Sequence, residues 1–190
     1  MLKLSDKKSV PERLLLLLSV LASLFLLYRF SFSQEDLFLR MRVLRYKEPL
    51  PARNFEVVDL EGNSIHLSQF RGKVILLNFW ATWCGPCKKE MVPMEALYQQ
   101  CKDSGFIVLA VSLDQGGVKV VKAFVEKRGL TFPVLIDTSG KAKSTYRITS
   151  LPTTFLIDRD GRLLGKSLGP RDWASEGAVA LVESLLARSH

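Results

Sequence analysis

Val74-Ile75-Leu76-Leu77-Asn78-Phe79-Trp80-Ala81-Thr82-Trp83-Cys84-Gly85-Pro86-Cys87 is the stretch that decides how this chain folds. Its first seven residues are a short, unbroken, β-rich apolar run, the pattern of a strand buried on both faces. From Pro86 to about Cys101 the apolar residues Met91, Met94, Leu97 and Tyr98 recur with helical spacing. Pro86 suits a helix start, because its missing N–H would have no partner there. The two cysteines therefore stand where a strand gives way to a helix. Cys84 is at or just before the first turn, and Cys87 lies a little under one turn further in.

Two thiols at this spacing can trade a dithiol for a disulfide. Unpaired N–H groups and the positive end of the helix dipole stabilise a thiolate on Cys84, which makes it the nucleophile and Cys87 the resolving thiol. A structural zinc pair and a bracing disulfide are the alternatives. Zinc takes about four ligands, whereas the chain has three cysteines and two histidines, and His66 and His190 show no ligand spacing to Cys84. A disulfide across two residues closes too small a loop to constrain much of the unfolded chain. The strand–CxxC–helix context favours redox exchange over both.

Residues 79–90, Phe-Trp-Ala-Thr-Trp-Cys-Gly-Pro-Cys-Lys-Lys-Glu, together with Ser150-Leu151-Pro152-Thr153-Thr154-Phe155-Leu156-Ile157-Asp158, resemble the TlpA/ResA group of membrane-tethered thiol–disulfide oxidoreductases. The likeness covers roughly residues 50–188 and rests on two separated motifs. It implies a thioredoxin fold: an α/β domain with a central mixed sheet flanked by helices, plus an N-terminal β-hairpin and a central insertion at residues 116–146. It also implies a cis proline at Pro152 opposite the redox pair, with Pro152 packed on the sulfurs and Leu151 offering backbone groups to a substrate strand. From the residues alone, a trans proline that merely opens a strand stays open. No cofactor is implied beyond the Cys84–Cys87 disulfide itself, and no metal.

Neighbouring residues divide by position. Trp80 reads as core, and Trp83, Gly85 and Pro86 as substrate-binding surface, with Trp83 shielding one side of the Cys84 sulfur. Glu90 is either a proton shuttle, a buried carboxylate of raised pKa such as the resembling family carries near its redox pair, or a solvated charge in the first turns of a helix. Asn78 departs from thioredoxin, which has a buried aspartate there. Lys88 and Lys89 read as helix-surface charges. Pro93 should kink the helix, and it stands one residue later than in the resembling family. Cys101 would lie about 21 Å along the helix axis from Cys87, so it reads as a small apolar side chain rather than a third redox centre.

Elsewhere the pattern alternates strand and helix. A hairpin is expected over 55–59 and 64–67 with its turn at Glu61-Gly62-Asn63. Strands are expected at 106–113, 134–137, 153–158 and 163–168, and helices at 119–128, 141–146 and 173–187. The chain divides into a basic flank (1–13), an apolar membrane segment (14–33), a linker (34–50) and one thioredoxin-like domain (51–190). The apolar run Leu14 to Tyr28 spans only about 22 Å as a helix, and extended through Ser33, with Arg29 snorkelling, it reaches about 30 Å, the thickness of a hydrocarbon core. An uncleaved anchor is the favoured reading; a cleaved signal peptide, with Ser31-Phe32-Ser33 as a weak site, is its rival.

The basic residues Arg29, Arg40, Arg42, Arg45 and Lys47 follow this run almost as densely as others precede it, so charge does not set the orientation. The resemblance implies an extracytoplasmic domain at the cell membrane, protein disulfide or dithiol substrates, and a membrane electron-donor thiol protein. The chain carries a net charge of +8, but many of the basic residues cluster around the anchor and no nucleic-acid signature appears; phospholipid headgroups are the simpler partner. Reduction of apocytochrome c before haem attachment is the resembling family's best-known task, its members also serve other exported proteins, and nothing in the sequence chooses among them; Gly85-Pro86, shared with thioredoxin, leans toward a reductant. An oxidant of the same fold remains an alternative. So does a peroxiredoxin-like peroxidase, whose P-x-x-x-T-x-x-C setting is missing, and so does a non-catalytic metal- or haem-handling module.

Overall fold

A computed structural model describes residue 13, residues 16–24 and residues 37–188. The chain divides into two compact units, Met1–Asp36 and Leu37–His190. In the first unit residues 16–24 are helical, and Leu16, Leu17, Leu18, Val20, Leu21 and Leu24 are all exposed. The rest of the expected membrane segment (residues 14–15 and 25–33) and most of the basic flank lie outside the described residues. Among the described residues no helix is long and apolar enough to cross a membrane.

The second unit is built on the buried run from Val74. It forms strand β4 (Val74–Trp80), in which every residue is buried, so each large apolar side chain contributes roughly 1.5–3 kcal/mol. β4 pairs in parallel with β5 (Phe106–Ser112) on one side and antiparallel with β7 (Thr153–Ile157) on the other. Outward from β5 follow β6 (Val134–Ile136) and the hairpin β2 (Glu56–Asp59) and β3 (Ser64–His66); outward from β7 follow β8 (Arg162–Leu168) and β1 (Leu44–Pro51). One mixed eight-stranded sheet results, in the order β1-β8-β7-β4-β5-β6-β2-β3.

Strand alternation sorts the core into two layers. Val74, Leu76 and Trp80 face a layer that includes Met91, Met94 and Leu97 of helix α1 (Gly85–Cys101) and Val121 and Val125 of α2 (Gly117–Arg128). Leu181 and Leu185 of α4 (Glu176–Leu186) complete it. Ile75, Leu77 and Phe79 face the other layer, with Phe55, Tyr146, Phe155 and Ala142 of the short α3 (Lys141–Thr145). Asn78 shares its strand parity with Leu76 and Trp80, which aims a polar side chain at the α1 side. Helix α1 runs on through Pro93.

Two boundaries differ from the sequence reading. Residues 37–50, expected as linker, belong to the domain: Phe38, Met41 and Val43 are buried, and Leu44 to Pro51 pair with β8 as an edge strand. The last helix begins at Glu176 rather than Trp173, because the Ser175 side chain accepts a hydrogen bond from the Ala178 N–H and caps it there. Trp173 lies ahead of the helix and is fully buried.

Candidate active site

Cys84 is the N-cap of α1, with extended backbone, and Pro86 sits in the first turn. The Cys84 sulfur accepts a hydrogen bond from the Cys87 N–H at 3.2 Å, and Cys84 and Cys87 form a disulfide. The sulfur that heads the helix therefore meets one of its unpaired N–H groups and the positive end of its dipole, the environment that stabilises a thiolate. Cys84 is 6% exposed and Cys87 wholly buried. A partner molecule can reach only the first.

One turn beyond Cys87, Glu90 is 1% exposed. Of the two sequence readings, the solvated surface charge is ruled out. Its Oε1 accepts from Asn78 Nδ2 at 2.9 Å; its Oε2 accepts from the Arg171 backbone N–H at 3.1 Å and from the Trp173 indole at 3.3 Å. Burial pushes the carboxyl up to about 7, against the opposing pull of these donors and of the Arg171 charge. Asn78 also donates to Thr154 Oγ1 at 2.9 Å, so strands β4 and β7 and helix α1 meet at one buried amide. Such a carboxyl can take up or release a proton near neutral pH.

A cleft of about 1220 Å³ opens beside Cys84. Trp83, Gly85 and Pro86 line one wall, Leu113 to Gly116 and Val120 another, and residues 137–140 with Lys143 and residues 148–151 the rest. Trp83 is 69% exposed, a flat apolar surface at the rim, while Trp80 is buried in the core. The Leu151–Pro152 peptide bond is cis. Leu151 borders the cleft; Pro152 is buried, and its carbonyl accepts from the Gly169 N–H at 2.9 Å. Trp83, Cys84, Gly85, Pro86 and Leu151 thus meet at one cleft, with Cys87 and Glu90 beneath.

Three residues near the pair had no signal in the sequence. Asp114, two residues beyond β5, accepts from the Thr82 N–H and hydroxyl at 2.8 and 2.6 Å and so fixes the turn that delivers Cys84. Arg171 and Trp173 reach Glu90 from a loop far along the chain. Cys101 is a free, buried thiol, its pKa raised by burial and by Glu183.

Residues 50–165 match the family model described as AhpC/TSA family. The chain is 43% identical over 145 residues to thiol-disulfide oxidoreductase ResA of Bacillus cereus, covering 76% of this chain and 79% of that protein. It is 47% identical over 118 residues to ResA of Bacillus anthracis, covering 62% and 68% respectively. Among solved structures, a thiol:disulfide interchange protein of the thioredoxin family from Chlorobium tepidum superposes with a TM-score of 0.66 at 28% identity, over 75% of this chain and 99% of that one. The mixed sheet flanked by helices is thioredoxin-like.

Proposed function

Because the chain belongs to the AhpC/TSA family and is a ResA-like thiol–disulfide oxidoreductase, we propose that it reduces disulfides of exported proteins through Cys84 and Cys87, outside the cytoplasm and tethered to the membrane. The observation that carries this reading is the Cys84 sulfur at the helix N-cap, bonded to the Cys87 N–H and opening on the cleft.

In the reduced enzyme the Cys84 thiolate attacks one sulfur of the substrate disulfide. A Cys84–substrate disulfide forms, and the other substrate sulfur leaves as a thiolate and takes up a proton. Cys87 then gives up its proton and attacks the Cys84 sulfur, releasing the second substrate thiol and closing the Cys84–Cys87 disulfide. Two electrons and two protons have passed to the substrate. Glu90, on the same helix face as Cys87, takes the proton that Cys87 must lose. Trp83, Gly85, Pro86 and Leu151 hold the substrate chain at the cleft, and Pro152 positions Leu151. No cofactor enters the cycle; a membrane electron-donor thiol protein restores the dithiol.

The exposed leucines of the 16–24 helix, within a longer apolar run flanked by basic residues, support an anchor. The likeness to ResA supports the extracytoplasmic side, and apocytochrome c is the substrate class the family resemblance offers.

The test is mixed-disulfide trapping with a disulfide-bonded substrate peptide. Cys87→Ser should accumulate a stable covalent adduct at Cys84, and Cys84→Ser should form none. Adduct formation on Cys84→Ser equal to that on Cys87→Ser would sink the assignment of the nucleophile.

A further inference from the structure

We propose that Arg171 is a positioning residue for Glu90: its guanidinium pins residues 169–173 against residues 41–42, so that two N–H groups of this loop meet Oε2 of Glu90. The inference rests on the reading above, in which Glu90 handles the proton of Cys87.

The loop between β8 and α4 is held at several points. At its start Gly169, with φ of +78°, donates its N–H to the Pro152 carbonyl at 2.9 Å. In the middle the Arg171 side chain donates to four backbone carbonyls: Met41 at 2.9 Å, Arg42 at 3.0 Å, Pro170 at 2.8 Å and Gly169 at 3.3 Å. At its end Trp173 is fully buried. The Arg171 and Trp173 N–H groups are the ones that reach Glu90, at 3.1 and 3.3 Å.

The chemistry follows from the kind of groups involved. A backbone N–H has no side chain of its own to aim it, so its place must be set by what pins its residue. Here the pin is that residue's own guanidinium, whose rigid fork serves several carbonyls at once; a lysine ammonium cannot reproduce that geometry. Donors to a carboxylate favour its charged form, so a loosened loop leaves Glu90 holding its proton to higher pH. The other groups around Glu90 are few. Asn78 from β4, Thr154 from β7 and Trp173 are neutral; Cys87 precedes it on α1; and Arg42 repels the Arg171 charge.

The experiment compares full-length wild type, Arg171→Gln and Arg171→Lys. It reads the ¹³C shift of the Glu90 carboxyl against pH, assigned with Glu90→Gln, and the pH profile of Cys84–Cys87 exchange with dithiothreitol. Both variants should move the Glu90 midpoint upward, by about tenfold in proton affinity, with the exchange profile following. An unmoved midpoint in both variants overturns the inference, and so does a wild-type midpoint in Arg171→Lys, since charge alone would then suffice. Should Arg171→Gln fail to fold, Arg171→Lys decides the matter by the same criterion. A midpoint that moves while the exchange profile stays put upholds the hold of Arg171 on Glu90, and removes instead the assignment of Glu90 to proton transfer.

Discussion

At Glu90 a carboxyl group sits buried among three N–H donors, and burial still outweighs them, leaving it at about 7 against an ordinary 4.5. The folded chain keeps the proton up to that pH, while the unfolded chain releases it near 4.5. Stability from this group is complete below the unfolded value and is lost as pH rises through the folded one. Wild type should lose roughly 2–3 kcal/mol more than Glu90→Gln between about pH 4 and pH 8, by urea unfolding of the oxidised protein. The glutamine can be accommodated: the buried Asn78 Oδ1 has no hydrogen-bond partner, and with the Asn78 amide turned it would accept from the glutamine Nε2. Equal losses in the two proteins would contradict the buried, proton-holding Glu90. Cys84 and Cys87 were legible in the sequence because their relation is local, a matter of spacing on one helix; Glu90 was half legible, since the family resemblance pointed to it while its place in the helix left a solvated charge equally open. Arg171 and Trp173 were not, since they reach Glu90 across 81 and 83 residues and only the fold brings them there.

Among the elements, β4 and α1 position the pair, and both could be read from pattern: an unbroken apolar run, then a proline start and helical spacing. Strand β1 had no such signal. It is an edge strand with little burial, its charges Arg45, Lys47 and Glu48 break any alternation, and its extended form comes from pairing with β8. Trp173 was drawn into the last helix by apolar spacing, although Ser175 caps that helix only afterwards. The docking of residues 37–51 depends on Gly165, where an added Cβ would meet the Leu44 carbonyl oxygen at 2.8 Å and Val43 Cγ1 at 2.9 Å. Gly165→Ala should therefore cost about 1–3 kcal/mol and raise amide hydrogen exchange in residues 38–51 above that of β4 and β5. Unchanged protection there would mean that the segment is not held as described.

For the whole molecule, a basic chain with an apolar N-terminal run and a thioredoxin-like domain, the question is which way electrons flow. An extracytoplasmic compartment is oxidising, so a reductant there must be kept reduced by a partner, whereas an oxidant need not be. The direction was not legible in the sequence, because the reduction potential depends on how well the folded site stabilises the Cys84 thiolate, through the helix N-terminus and the buried surroundings of Cys87. The most direct measurement is that potential for the Cys84/Cys87 pair, taken by thiol trapping and mass spectrometry across a series of dithiol/disulfide buffers. A single two-electron transition near thioredoxin's, about −270 mV, is the expected result; a transition near about −120 mV would make the protein an oxidant, and a pair inert over the whole range would remove the redox reading altogether.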